Sequence, residues 1–147
     1  MSVSVLRVVL GDQLSTRLEA VAGADKARDV FLIAEVMAEA TYVRHHVKKI
    51  AFLFSAMRHF AAALRAAGYS VRYVALEDEG NSQSLEGEIL RAAEALDPAR
   101  VVVTEPGEWR LRESFEALRL ALAVPLEILP DTRFLCSHAQ FEAWAGD

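Results

Sequence analysis

The chain has 147 residues, a formal charge of −5 and 53 % apolar residues. That length suits one domain able to bury about two thirds of its unfolded surface, and the apolar share lies slightly above the usual ~45–50 %. No apolar run approaches the ~20 residues of a membrane span, no signal peptide is visible, and the single Cys136 excludes an internal disulfide or a cysteine-ligated cluster within this chain.

A reducing, cytoplasmic setting is the default expectation from this cysteine usage, and without an apolar span no membrane contact is expected. The acidic balance disfavours general phosphate binding.

Val3 to Leu10 is a near-continuous apolar run broken by Ser4 and Arg7, and Gly11-Asp12-Gln13 ends it. Val30–Ala34 reads as a second strand. After it Glu35, Glu39, Tyr42, His45, His46, Lys48 and Lys49 crowd a strand exit and the start of a helix, a mixture core packing rarely asks for. Ile50, Phe54, Met57, Ala61 and Leu64 then repeat at 4, 3, 4, 3, which makes one apolar helical stripe, and Gly68 sits near its stop. Val71–Leu76 is a third strand. The polar, glycine-containing stretch from Glu77 to Gln83 is predicted to be a mobile loop.

Leu85, Ile89, Ala92 and Leu96 mark a second long helix closed by Asp97-Pro98, and Val101–Val103 a short fourth strand. Leu111, Phe115, Leu118 and Leu122 mark a third, ended by Pro125, and Leu126–Leu129 is a fifth strand. Ser137 and Gln140 have capping-box spacing and open a last helix. Strands apolar on both faces, alternating with helices, predict an α/β domain over residues 1–147. Its sheet is expected to be open, mostly parallel and five-stranded, with helices on both faces.

Charge is unevenly spread. Between Ala40 and Leu76 there is no acid, but there are Arg44, Lys48, Lys49, Arg58, Arg65 and Arg72. From Glu77 to Asp97 seven acids accompany Arg91 alone. The basic stretch reads either as a face toward nucleic acid or a partner domain, or as an ordinary solvated helix face.

Ligands of open α/β sheets lie beyond the carboxyl ends of the strands. The exits here offer Asp12 and Gln13, then Glu35 and Glu39, Glu77, and Glu105 and Glu108. This acidic, amide-bearing and cation-poor rim would repel a pyrophosphate, and neither G-x-G-x-x-G nor a P-loop is present. It suits an uncharged flat ligand with ring N–H groups and hydroxyls. Adjacent His45 and His46 would point about 100° apart on a helix and do not share an ion easily, so no metal site is expected. Ser55 and His59 lack a nucleophile elbow. Glu105-Pro106-Gly107-Glu108 fits a tight strand-to-helix turn with Pro near the first helical position, compatible with a ligand role.

Several stretches together resemble one family. They are Leu10-Gly11-Asp12-Gln13-Leu14-Ser15, Glu35-Val36-Met37-Ala38-Glu39-Ala40, Tyr42-Val43, His45-His46, and Lys48-Lys49-Ile50-Ala51-Phe52. Phe54-Ser55-Ala56-Met57-Arg58-His59-Phe60, Gly68-Tyr69, Thr104 to Arg110 and Arg133-Phe134-Leu135 continue the match in order along the chain. The chain resembles the N-terminal domain of the bacterial cryptochrome/photolyase-related proteins, the iron–sulfur-containing branch that includes prokaryotic (6-4) photolyases.

The resemblance implies a Rossmann-like antenna domain that binds 6,7-dimethyl-8-ribityllumazine and passes light energy to FAD for DNA repair. FAD, the iron–sulfur cluster and DNA contact would belong to a following helical domain absent from this chain, so no catalytic residue is expected here. The implied pigment contacts are Gly11, Asp12 and Gln13 after the first strand, with Glu39, Tyr42 and Leu53. Tyr42 would stack on or close over the ring, and Glu39 would accept a hydrogen bond from it. Val47 interrupts what is often a run of three lysines, and Ala34 stands where the family can have Cys.

Geometry adds a constraint. In one straight helix Glu39 and Leu53 would lie about 21 Å apart, too far for one small ligand, so a break is predicted between Tyr42 and Lys48. Two other readings stay open: a binding or regulatory module that holds no pigment, and a small transferase or hydrolase using His45, His46 and the carboxylates.

Overall fold

The computed structural model describes residues 3–146; Met1, Ser2 and Asp147, at the ends of the expected domain, lie outside the described residues. The elements in chain order are β1 (Val5–Val8), α1 (Glu19–Ala22), β2 (Asp29–Ala34), α2 (Met37–Thr41), α3 (Val47–Ala66) and β3 (Ser70–Val74). Then follow α4 (Leu85–Leu96), β4 (Arg100–Thr104), α5 (Trp109–Ala121), β5 (Leu126–Leu129) and α6 (His138–Ala145). All strands pair in parallel in the order β3-β2-β1-β4-β5. The α/β class and the open five-stranded sheet are as the sequence predicts, with every pairing parallel rather than most.

The pleat of each central strand sends alternate side chains to opposite faces. Leu6, Val8, Leu32, Val101 and Val103 pack with Ile89, Phe115 and Leu118 under α4 and α5. Val9, Phe31 and Ile33 pack with Leu18, Val21, Met57 and Leu64 under α1 and α3. Arg7 breaks the apolar run of β1 because it has work on the α1 face: its guanidinium binds Asp29 at 2.7 Å and the carbonyls of Ala20 and Gly23 at 2.9 and 2.8 Å. That arrangement satisfies carbonyls that the end of α1 leaves free.

The helix stops follow their sequence signals. Gly68 takes φ +90°, and Tyr69 donates back to the Leu64 carbonyl, which closes α3. Asp97, at φ 45°, ends α4 before Pro98. Ser137 and Gln140 form the expected reciprocal cap on α6. The break also appears where the length argument needs it. The helix ends at Thr41, and α3 begins at Val47 with His46 as its cap, Nδ1 accepting from the Lys48 amide at 3.1 Å.

Three expectations are corrected. The stretch from Glu77 to Gln83 is pinned rather than free. Asn81 donates to the carbonyls of Glu35 and Ala75, both at 2.8 Å, and Gln83 receives the Met37 and Ala38 amides that open α2. Pro106 is not at the first turn of α5, which begins three residues later with Glu108 as its cap residue. The first strand is shorter than the run from Val3 to Leu10, since its regular ladder ends at Val8 before the turn at Gly11.

Candidate functional site

The chain order reverses direction between β1 and β4. β1, β2 and β3 proceed toward one edge, and the connection from β3 then returns to place β4 on the other side of β1. At that point the connections leaving the two strands diverge, and a crevice opens between them. A cleft of about 210 Å³ lies there.

Its floor is apolar, from Leu10, Ala34 and Val36 at the strand ends. One wall comes from α3 through Ile50, Leu53, Phe54 and Met57, and the other from Leu85, Pro106 and Leu111. Polar groups gather around them: Asp12, Glu39, Tyr42, His45, Lys49 and Glu108. An apolar slot with a few convergent polar groups is the usual form of a small-molecule site.

Five of the six residues expected to contact a ligand line this one cleft: Gly11, Asp12, Glu39, Tyr42 and Leu53. Gly11 leaves little room for a side chain; a Cβ at that position would lie 3.2 Å from the Met57 sulfur and 3.4 Å from Leu53 Cδ2. Gln13 does not line the cleft. Its side chain is buried, and its amide nitrogen donates to the Thr104 and Glu105 carbonyls, each at 3.2 Å, tying the exit of β1 to that of β4. Its amide oxygen is buried without a hydrogen-bond partner among the described residues.

Glu35 is likewise withdrawn from the rim. It is fully buried and accepts from Arg58 Nε at 2.6 Å, Arg58 Nη2 at 2.8 Å, the Leu76 amide at 3.0 Å and the Tyr73 hydroxyl. Burial pushes its carboxyl up, but the bonds from Arg58, Tyr73 and Leu76 outweigh that and hold it below the ordinary range. Burial, with Glu35 beside it, pushes the Tyr73 phenol well up. Glu77 is exposed and outside the cleft.

The mouth of the cleft is spanned by a cluster the sequence did not reveal. Arg110, in the first turn of α5, binds both oxygens of Glu39 in α2, at 3.0 and 2.9 Å, and reaches Glu108 at 3.2 Å. Its guanidinium carbon sits 4.3 Å from the centre of the Tyr42 ring, while the Tyr42 hydroxyl donates to Glu108 at 2.9 Å. The Glu108 bond holds the Tyr42 phenol above its usual range, and the Glu39 bond does the same for Arg110. The rim is therefore not cation-poor. Arg110 answers Glu39 and Glu108, Arg112 pairs with Glu105 at 3.3 Å, and Lys49 lines the opening with its ammonium 3.2 Å from His45 Nδ1.

The two adjacent histidines do separate jobs. His46 caps α3, and His45 packs edge-on against Tyr42 with 5.1 Å between ring centres. Among the described residues no group of three His, Cys, Asp or Glu side chains is placed to hold a metal, and no helix is long and apolar enough to cross a membrane.

Residues 7–147 match the family described as deoxyribodipyrimidine photo-lyase-related protein. A curated relative, the (6-4) photolyase of Agrobacterium fabrum (strain C58 / ATCC 33970), is 51 % identical over 143 residues. That match covers 97 % of this chain and 28 % of the relative, so the chain spans little more than a quarter of that protein's length. A parallel α/β sheet with its cleft at the reversal point, and a family match over almost the whole sequence, place this chain in the deoxyribodipyrimidine photo-lyase-related protein family.

Proposed function

We propose that this chain is the antenna part of a longer photolyase-related protein, and that the cleft between β1 and β4 binds 6,7-dimethyl-8-ribityllumazine. When bound, such a pigment absorbs near-ultraviolet to violet light and hands the excitation to FAD elsewhere in the longer protein, which uses it to repair DNA. One observation carries the reading: Gly11, Asp12, Glu39, Tyr42 and Leu53 arise from separate elements and border one apolar slot.

The donor set suits that ligand. The aliphatic wall of Ile50, Leu53 and Met57 accommodates a flat ring body, and the bare backbone at Gly11 lets Met57 and Leu53 pack close to form that wall. Asp12, Glu39 and Glu108 accept from ring N–H groups or from hydroxyls of a polyol chain, while Lys49 donates to ring carbonyls or hydroxyls. At about 210 Å³ the cleft is smaller than the ~300–1,000 Å³ typical of ligand sites. Tyr42, Glu39 and Glu108 are themselves part of its wall, so opening their contacts with Arg110 enlarges it.

The test is reconstitution. Protein mixed with the lumazine should quench or shift its fluorescence saturably at one site per chain. Unchanged emission with protein in excess would remove the pigment from the proposal. A second reading, an α/β module that holds no pigment, is favoured by the way Glu39, Tyr42 and Glu108 already satisfy one another through Arg110. The same titration separates the two.

A further inference from the structure

The turn that walls the cleft after β1 is gripped from two sides. On one side Gln13 is buried against the exit of β4, through its bonds to the Thr104 and Glu105 carbonyls. On the other, Arg133 reaches back from beyond β5, and its Nη1 donates to the Asp12 carbonyl. The remaining arms of that guanidinium go to Asp131, Nε to Oδ1 at 3.0 Å and Nη2 to Oδ2 at 2.6 Å. The Asp131 side chain is only 5 % exposed and also accepts the Arg133 amide at 3.0 Å. Asp131 thus fixes the plane of the guanidinium, and the fork leaves one N–H aimed at Asp12.

The Arg133 side of that grip involves no strand residue. Arg133 lies after the last strand, and its target is the backbone of a cleft-lining residue 121 positions earlier. The segment that carries it is anchored again farther on, where His138 lies 3.4 Å from Arg112 and 3.9 Å from Glu105 at the β4 exit. We propose that Arg133 is a positioning residue for the cleft: oriented by Asp131, it holds the Gly11–Asp12 wall in place and couples that wall to the segment running from β5 to α6. Its effect on pigment rests on the lumazine reading above; its effect on the wall does not.

The experiment uses the full chain with Arg133→Ala, Arg133→Lys and Asp131→Asn, and two readouts. Hydrogen–deuterium exchange without ligand follows the Gln13 and Ser15 amides, which donate to Leu10 and Gln13 carbonyls inside this turn. Arg133→Ala should speed their exchange about tenfold or more, the scale of one lost charge-assisted hydrogen bond, and leave Val101 to Val103 in β4 unchanged. Lumazine titration should show about tenfold weaker binding with Arg133→Ala, a smaller loss with Arg133→Lys, which keeps the charge but not the fork, and a loss with Asp131→Asn.

Unchanged exchange at Gln13 and Ser15 overturns the clamp whether or not any pigment binds. Faster exchange with full affinity, in a protein whose wild type binds lumazine, overturns the positioning role. If the wild type binds none, the lumazine reading fails alone, and the exchange data still decide the clamp. Should Arg133→Ala fail to fold, Asp131→Asn and Arg133→Lys carry both readouts.

Discussion

Arg110 and Glu39 meet fork to fork across the mouth of the cleft, with both guanidinium arms on both carboxylate oxygens. The pair joins the first turn of α5 to α2, elements that share no strand connection, and Tyr42 lies flat enough beneath Arg110 to add a cation–π contact. An expected ligand acceptor is thus already engaged by an internal partner. A ligand that uses Glu39 must compete with Arg110 or bond to it as well.

Removing the arginine should therefore ease access. The pair is partly exposed on both sides, so its worth is at most about 1 kcal/mol, or roughly fivefold in an equilibrium. Arg110→Gln should leave the melting temperature within a few degrees of wild type and raise the association rate of the lumazine up to about fivefold, measured by stopped-flow fluorescence. A slower association would show that Arg110 recruits the ligand instead of guarding the site.

Glu39→Ala tests the other half of the pair. Losing an acceptor for a ligand N–H or hydroxyl costs roughly 1–3 kcal/mol, about 5- to 150-fold in affinity, while release of Arg110 offsets part of that. The double change Arg110→Gln with Glu39→Ala should then bind more weakly than Arg110→Gln alone. Equal affinities in those two proteins would strip Glu39 of any ligand contact.

Glu35 has a different fate, and it is one of the groups through which acid acts on the fold. Its carboxyl is held below the ordinary value of 4.5 in the folded chain, and Glu88 and Asp131 are lowered too. The unfolded chain therefore binds more protons in acid. Stability from these groups is complete above about pH 5 and is lost progressively as the pH falls through the folded values. Glu35→Gln should cost about 2–4 kcal/mol at pH 7, because Arg58, Tyr73 and the Leu76 amide lose their charged acceptor. Urea unfolding should also show a smaller drop between pH 7 and pH 3.5 for this variant. An identical pH slope would assign the acid sensitivity elsewhere.

How much of this was legible in the sequence follows from which contacts are local. The apolar runs and the 4, 3, 4, 3 stripes identify the strands and the long helices because their periods depend on near neighbours. Even the break before α3 could be deduced once the family resemblance assigns Glu39 and Leu53 to one small ligand, since a rigid rise of about 1.5 Å per residue cannot bring them together. Gln13 and Arg110 were not legible. Each owes its role to a partner 91 or 71 residues away, which only the strand order supplies. The pinned loop at Asn81 and Gln83 failed for the same reason: polar, glycine-containing sequence looks mobile until its partners in α2 and at Glu35 are known. The four-residue α1 has too few positions to show a period.

Gly11 offers a way to change the cleft at a moderate cost to the fold. A Cβ there already crowds Met57 and Leu53, so the branched side chain of Gly11→Val has to displace one of them. Overpacking of this kind costs about 1–3 kcal/mol, a fall of roughly 3–10 °C in melting temperature for a chain of this size. Leu53 lines the cleft, and its displacement narrows the slot, so lumazine affinity should drop at least about tenfold. A Gly11→Val protein that folds and binds like wild type would mean that this wall does not bound the ligand.

The pair formed by Arg7 and Asp29 separates buried charge from surface charge within one short stretch. Both side chains are more than nine-tenths buried, and Asp29 also accepts the Asp25 amide at 2.9 Å. Asp29→Ala leaves a guanidinium enclosed beside two carbonyls with no counter-charge, a change that costs about 3–5 kcal/mol. Three residues' spacing away, Arg28 and Asp25 make a pair of similar length, 3.0 Å, but with side chains 64 % and 45 % exposed. Water and salt screen that pair, so Arg28→Ala should cost little. In thermal unfolding Asp29→Ala should fall by about 10 °C, and Arg28→Ala by a degree or two at most. Comparable losses in both would mean that the Arg7 network is solvated in solution, and that the α1 face of the sheet is less tightly closed than its packing indicates.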